Sequence, residues 1–197
     1  PHHRPAALLR PQSTAEAAQV VRACAEHEVP LVPRGAGTGL SGGANGVAGG
    51  IVVSFEAMNA IVDIDPEERI AVVQPGVVNA HLRAACAEHG LWYPPDPASS
   101  PWSTLGGNVS TNAGGLCCVK YGVTRDYVLG MEVVTGTGAV VRLGRPVAKA
   151  VAGYDLAGLM VGSAGTLGAA TGATVRRGPP GPPEHPVAGD VGSVCVV

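Results

Sequence analysis

Apolar residues recur at helical spacing over residues 14–28, where Ala17, Val20, Val21, Cys24 and Ala25 fall on one stripe. Ser13 and Glu16 stand where a capping box opens such a helix, the hydroxyl accepting from the Glu16 N–H and the carboxylate reaching back. Two apolar runs follow, residues 29–33 and Ile51–Ser54, each the length of a short buried strand. Helix, strand, loop and strand make a compact α/β unit.

Past residue 60 the spacing changes to β-rich runs holding Ile61, Ile64, Ile70, Val72 and Val73, with Asp65-Pro66-Glu67-Glu68 as the turn of a hairpin. Pro75-Gly76 ends it. A helix over 79–89 comes next, with Asn79 placed to cap it and His81 and His89 on its surface. The prolines of 92–97 keep that stretch extended or turning, because each restrains its predecessor from the α region. Residues 127–143 read as a second hairpin, 154–161 as a short helix and 169–176 as a last strand. Residues 178–186, rich in Pro and Gly, read as a linker, and 187–197 hold only the beginning of a further strand.

Between these elements lie two polar, glycine-rich stretches that the hydrophobic pattern leaves unexplained. PRGAGTGLSGG (33–43) sits between two strands, and its exposed N–H groups can form a concave nest suited to a phosphate. STLGGNVSTNAGG (103–115) has so little apolar mass that a polar ligand is the good reason for it to be ordered. The first stretch also fits G-x-G-x-x-G through Gly37, Gly39 and Gly42, with Asp63 near the place of a ribose-binding carboxylate. That nicotinamide-dinucleotide reading needs a helix at the third glycine. Gly43, Gly46, Gly49 and Gly50 follow instead, at a cost of about 1 kcal/mol each relative to Ala in a helix, which argues against it.

Composition narrows the rest. Hydrophobic residues make up 46% of the 197, too many for a disordered chain despite the Gly and Pro. A net charge of −2 without a basic stretch excludes the electrostatic footprint of a nucleic-acid binder. No apolar run is long enough to span a bilayer, and the N-terminal residues lack the core of a signal peptide. The five cysteines, without a C-x-x-C pair, suggest neither zinc nor a disulfide framework and fit a reducing cytoplasm; Cys117 and Cys118 read as small buried residues. No metal site is expected.

Four motifs in order, PRGAGTGLSGG, PPDPASS, TLGGNVSTNAGG and GYDLAGLMVGSAGTLG, resemble the FAD-binding domain of the FAD-linked oxidase family, of vanillyl-alcohol-oxidase or p-cresol-methylhydroxylase type. The likeness runs from about residue 10 to about residue 183. Within the family it points to the branch of the glycolate oxidase D-subunit, D-lactate dehydrogenase and D-2-hydroxyglutarate dehydrogenase. The resemblance implies an α+β, two-subdomain FAD-binding domain over 1–177. A small α/β subdomain (about 10–60) would join a larger, mostly antiparallel sheet with helices (about 61–177), and a cap domain would begin at 187–197.

By the same resemblance, Arg34, Gly35, Gly37, Thr38, Gly39, Ser41 and Gly42 would hold the pyrophosphate of FAD. Pro75, Gly76, Asp96, Ser99, Ser103, Thr104, Gly106, Gly107, Asn108, Ser110, Asn112, Gly114 and Gly115 would line the cofactor, and Val133 would meet the adenine half through its backbone. No histidine or cysteine falls in the glycine loop, so FAD is expected without a covalent bond. The implied partners are a small 2-hydroxy acid, oxidised by hydride transfer to FAD, and an electron acceptor, with peripheral membrane association left open. The alternative is a flavin-binding module inactive without a partner or further domain. Relatives usually show GSEGTLG where this chain has GSAGTLG, with Ala164 for the glutamate, and no catalytic residue can be carried over.

Overall fold

A computed structural model describes residues 4–144 and 153–178. The expected linker from residue 179 on, the cap start at 187–197 and Cys195 lie outside the described residues.

The chain builds two sheets. Strand β1 (Ala7–Leu9), helix α1 (Thr14–Glu26), β2 (Leu31–Arg34) and β3 (Ile51–Ser54) form a three-stranded parallel sheet in the order β1-β3-β2. Parallel neighbours need a crossover. Between β2 and β3 it is made by the glycine-rich segment rather than by a helix. The remaining elements are β4 (Ile61–Asp65), β5 (Ile70–Val73), α2 (Asn79–Glu88), α3 (Leu105–Thr111), α4 (Cys118–Tyr121), β6 (Val128–Thr135), β7 (Val140–Gly144), α5 (Leu156–Met160) and β8 (Gly168–Arg176). All five later strands pair antiparallel, in the order β4-β5-β8-β6-β7.

Helix α1 lies between the two sheets. Ala17, Ala18 and Val21 pack with Val53 and Phe55 on one side and with Val134 and Ala169 on the other. The buried stripe thus contains Ala18, while Ala25 is exposed and Val20 only half-buried. Alanines at these positions let both sheets approach closely. The helix ends two residues before the expected Glu28, because Glu28 takes φ 52° and closes a Schellman turn, with Val29 N–H donating to Cys24 O at 2.8 Å. At the other end Ser13 Oγ accepts from Glu16 N–H at 3.2 Å, but the Glu16 carboxylate accepts from Gln12 N–H rather than from Ser13.

A second core lies under the large sheet, where Val73, Val77, Leu82, Leu91, Tyr93, Leu105 and Val175 meet. Burial pushes the Tyr93 hydroxyl well above its ordinary pKa, so it stays neutral. Three expectations change here. Asn79 does not cap α2: it is fully buried, and the cap position belongs to Val78. The sequence assigned no element to 103–115, yet Leu105 and Val109 anchor a helix within it. Cys117 and Cys118 are half-exposed instead of buried.

Thr14 at the start of α1 and Glu132 on β6 tie the layers together. Thr14 Oγ1 donates to Glu132 Oε1 at 2.6 Å, and Arg142 Nε donates to Oε2 at 3.1 Å. The Thr14 hydroxyl first, against opposing burial, and then Arg142 hold the Glu132 carboxyl below its ordinary value. A depressed folded-state pKa contributes stability above the unfolded value, and that contribution is lost as pH falls through the folded one. Glu132→Gln is therefore expected to flatten the loss of thermal stability as pH falls below about 4.3, the free glutamate value. Identical acid limbs for the two proteins would show that this carboxylate is not linked to folding.

Candidate functional site

The two glycine-rich stretches face each other across one cleft. Its cavity, about 320 Å³, falls in the range of small-molecule sites. One wall is the crossover from β2, carrying Arg34, Gly35, Gly37, Thr38, Gly39 and Ser41; the other is α3 with Thr104 before it. The turn 162–165 and the start of β8 close the side.

Each wall is fixed by hydrogen bonds between the segments that build it. Segments 75–79 and 103–106, each running into a helix, join through Leu105 N–H to Val77 O and Gly106 N–H to Pro75 O, both 2.8 Å, and Asn79 N–H to Ser103 O at 2.9 Å. A side chain at Gly106 would drive its Cβ to 2.7 Å from Pro75 Cβ, so this approach requires glycine. At the far end of α3, Asn112 takes the left-handed conformation, and Val109 O and Ser110 O accept from Gly162 N–H (2.9 Å) and Ala164 N–H (2.7 Å). Arg125 holds the same turn, donating to Gly158 O at 2.6 Å and Val161 O at 2.7 Å. Asp155 caps α5 through Gly158 N–H at 2.8 Å.

The cleft is built for an acceptor-rich, anionic ligand. Among the described residues, the N–H groups of residues 35–43 donate to no backbone carbonyl. Thr104 Oγ1 is buried on the cleft wall without a hydrogen-bond partner. Such an orphan hydroxyl costs on the order of 1–3 kcal/mol unless a ligand satisfies it. Arg34, whose Nη1 donates to Ala44 O at 3.0 Å, is the one ionisable side chain among the described lining residues. Among those described residues no carboxylate repels an anion, and neutral donors outnumber the single cation.

Of the residues read from sequence, Arg34, Gly35, Gly37, Thr38, Gly39, Ser41, Pro75, Ser99, Thr104, Gly106, Gly107, Asn108 and Ser110 lie on the cleft wall. The others stand behind or beside it. Gly42 turns the loop at φ 79°, and Gly76 packs on the carbonyls of Phe55 and Met58. Ser103 accepts from Asn108 at 3.2 Å, Asn112 caps α3, and Gly114 packs near Cys118 and Val123. Gly115 lies against Asp96, whose carboxylate accepts from Cys117 N–H at 3.1 Å. Val133 is a core residue of β6, its side chain among Val109, Met131, Ala157 and Val161. Burial first, and then Asp96, push the Cys117 thiol up, so it rests protonated. Sequence reading did not place Phe55, Gly162, Ala164, Gly165 or the small residues Gly168, Ala169 and Ala170 at the cleft. The glycines of GSAGTLG were the available signal. The others are silent, being small residues that make room.

The structure superposes on that of 6-hydroxy-D-nicotine oxidase from Arthrobacter nicotinovorans with a TM-score of 0.76 and 26% identity, over 90% of this chain and 37% of that one. The fold is thus that of the cofactor domain of p-cresol-methylhydroxylase-type flavin oxidases, α+β as expected. The model of the FAD binding domain family FAD_binding_4 matches residues 5–144, and the chain belongs to that family. Its cofactor is FAD. Over 175 residues it is 51% identical to the glycolate oxidase subunit GlcD of Bacillus subtilis, covering 89% of this chain and 37% of that protein. With the D-lactate dehydrogenase of Anaerostipes hadrus it shares 47% identity, over 88% of this chain and 36% of the relative. The chain spans a little over a third of the length of these curated relatives. No helix among the described residues is long and apolar enough to cross a membrane.

Proposed function

We propose that the cleft between the crossover loop and α3 holds FAD without a covalent bond, and that the chain is the FAD-binding portion of a flavin-dependent oxidoreductase acting on a 2-hydroxy acid. The observation that carries the reading is the pairing of free N–H groups in 35–43 with the orphan Thr104 hydroxyl across one cavity. The names of the relatives, glycolate oxidase and D-lactate dehydrogenase, support the substrate class. Residues 35–43 would receive the pyrophosphate through N–H groups, with Arg34 supplying the positive charge. Thr104, Asn108 and Ser110 would hold the cofactor from the α3 side. FAD, when bound, supplies the acceptor for a hydride from the substrate's α-carbon. In this reading a small subdomain carries β1–β3, a larger one begins near residue 61, and FAD lies between them. Among the described residues the cleft offers no histidine, cysteine or carboxylate, hence neither an attachment point for the flavin nor a proton acceptor for the hydroxyl.

One preparation tests both halves. The chain mixed with FAD and freed of excess cofactor is expected to keep an oxidised-flavin spectrum and to release all flavin into the supernatant on acid precipitation. A colourless protein would sink the assignment of the cleft, and colour in the pellet would sink the non-covalent mode. The absence of a proton acceptor among the described cleft residues favours a second reading, that the chain binds FAD but turns over no substrate alone. Assays with glycolate, D-lactate and D-2-hydroxyglutarate and a dye acceptor are expected to give no turnover. Robust turnover with any of them would place the catalytic groups within this chain.

A further inference from the structure

Asn79 lies outside the cleft and is fully buried, yet its side chain joins three segments that meet behind it. Its Nδ2 donates to Pro95 O at 3.2 Å and to Asn108 Oδ1 at 3.0 Å, and its Oδ1 accepts from Ser100 Oγ at 2.7 Å. Asn108 Nδ2 in turn donates to Ser103 Oγ at 3.2 Å. All four side chains are buried, so each bond forms where water cannot replace it.

The direction of this relay is fixed by its first member. A backbone carbonyl can only accept, so the Asn79 amide must turn its NH2 toward Pro95. That NH2 then meets Asn108, which must present its oxygen inward. The Asn108 NH2 is left to face Ser103, with its second N–H unspent among the described residues. Asn108 lines the cleft. The Asn79 amide thus fixes which end of the Asn108 amide is turned toward it and which is turned away, on a residue that lines the cleft.

We propose that Asn79 is a positioning residue for FAD, setting the amide orientation of Asn108 and holding α3 against the cleft without touching the cofactor. The proposal rests on FAD occupying the cleft.

Asn79→Asp tests it with almost no change of shape. A carboxyl buried here against two oxygens keeps at most one hydrogen, so it can serve Pro95 or Asn108 but not both as the amide does. The conflict with Asn108 is relieved by turning that amide over, which exchanges its donor and acceptor ends in the cleft wall. The FAD dissociation constant, read from quenching of flavin fluorescence, is expected to rise about tenfold or more. The visible spectrum of the bound flavin should shift as well. Leu82→Ala, in the same helix and equally buried, is the control for plain destabilisation. It is expected to lower the melting temperature of the FAD-free chain while leaving FAD affinity within about twofold. If the aspartate variant yields no folded protein, Asn79→Ser, which keeps a single donor, is read by the same criteria. Wild-type chain that fails to bind FAD would overturn the functional reading itself. Wild-type chain that binds, with an Asn79 variant within twofold of it, would overturn the positioning role. An equal loss of affinity in Leu82→Ala for an equal fall in melting temperature would overturn it too.

Discussion

Gly37→Val is expected to weaken FAD binding at least about a hundredfold while the chain stays folded. Gly37 has φ 75°, a region that β-branched residues reach only with strain. Its missing side chain also makes room for Arg34: a Cβ there would lie 2.7 Å from Cζ of the guanidinium, which would have to leave its place under the loop. The substitution therefore removes N–H geometry and positive charge from the same spot. Gly49→Val separates strain from site, because Gly49 has φ 71° with nothing within 4 Å of its would-be Cβ, and it lies off the cleft wall. That variant is expected to lose stability of the order of a kilocalorie per mole and to keep its FAD affinity. Equal affinities for Gly37→Val and wild type, by titration of flavin fluorescence, would remove the loop from the site.

Leu105→Ala is expected to destabilise the FAD-free chain by about 3 kcal/mol. Leu105 is completely buried at the first turn of α3 and packs in the core that contains Val77, Tyr93 and Tyr127. Truncation leaves a cavity where segments 75–79 and 103–106 join, so little can collapse into it. A loss of this size is a large part of the roughly 5–15 kcal/mol that holds a domain together. Urea unfolding checks it, with a lowered midpoint and an unchanged slope expected. Because FAD binds the folded state, excess cofactor should restore part of the loss by mass action. A change below about 1 kcal/mol would show that α3 is not anchored by this residue.

Much of the fold was legible because period and punctuation agree. The hairpin β4–β5 could be read from two β-rich runs around Asp-Pro-Glu-Glu, and Asp65 Oδ1 does accept from Glu67 and Glu68 N–H at 2.9 and 3.0 Å to make the turn. Helix α3 was not legible, because Gly106 and Gly107 disfavour a helix locally. Burial of Leu105 and Val109, with the close approach to Pro75, outweighs that preference. Nor was the role of Asn79 visible, since capping asparagines and buried crosslinking asparagines look alike until the surrounding chain is placed. Strand β1 escaped notice because three residues at a sheet edge carry no period of their own. The cleft was half legible. Residues that donate announce themselves as glycine, serine and threonine, whereas those that only yield space, such as Ala169 and Ala170, do not.

The order β1-β3-β2 has a consequence for how the chain assembles. Ala7–Leu9 find their partners in Ile51, Val52 and Val53, across an intervening helix, a strand and the whole glycine loop. On a growing nascent chain β1 therefore stays unpaired until β3 has emerged, with Leu8 and Leu9 among its side chains. Non-local parallel pairing of this kind is slow, since the closure entropy of the long loop must be met before any contact repays it. The same glycine segment that shapes the cleft is thus the slack through which the small sheet closes, and a stiffer loop would alter the refolding rate as well as the site.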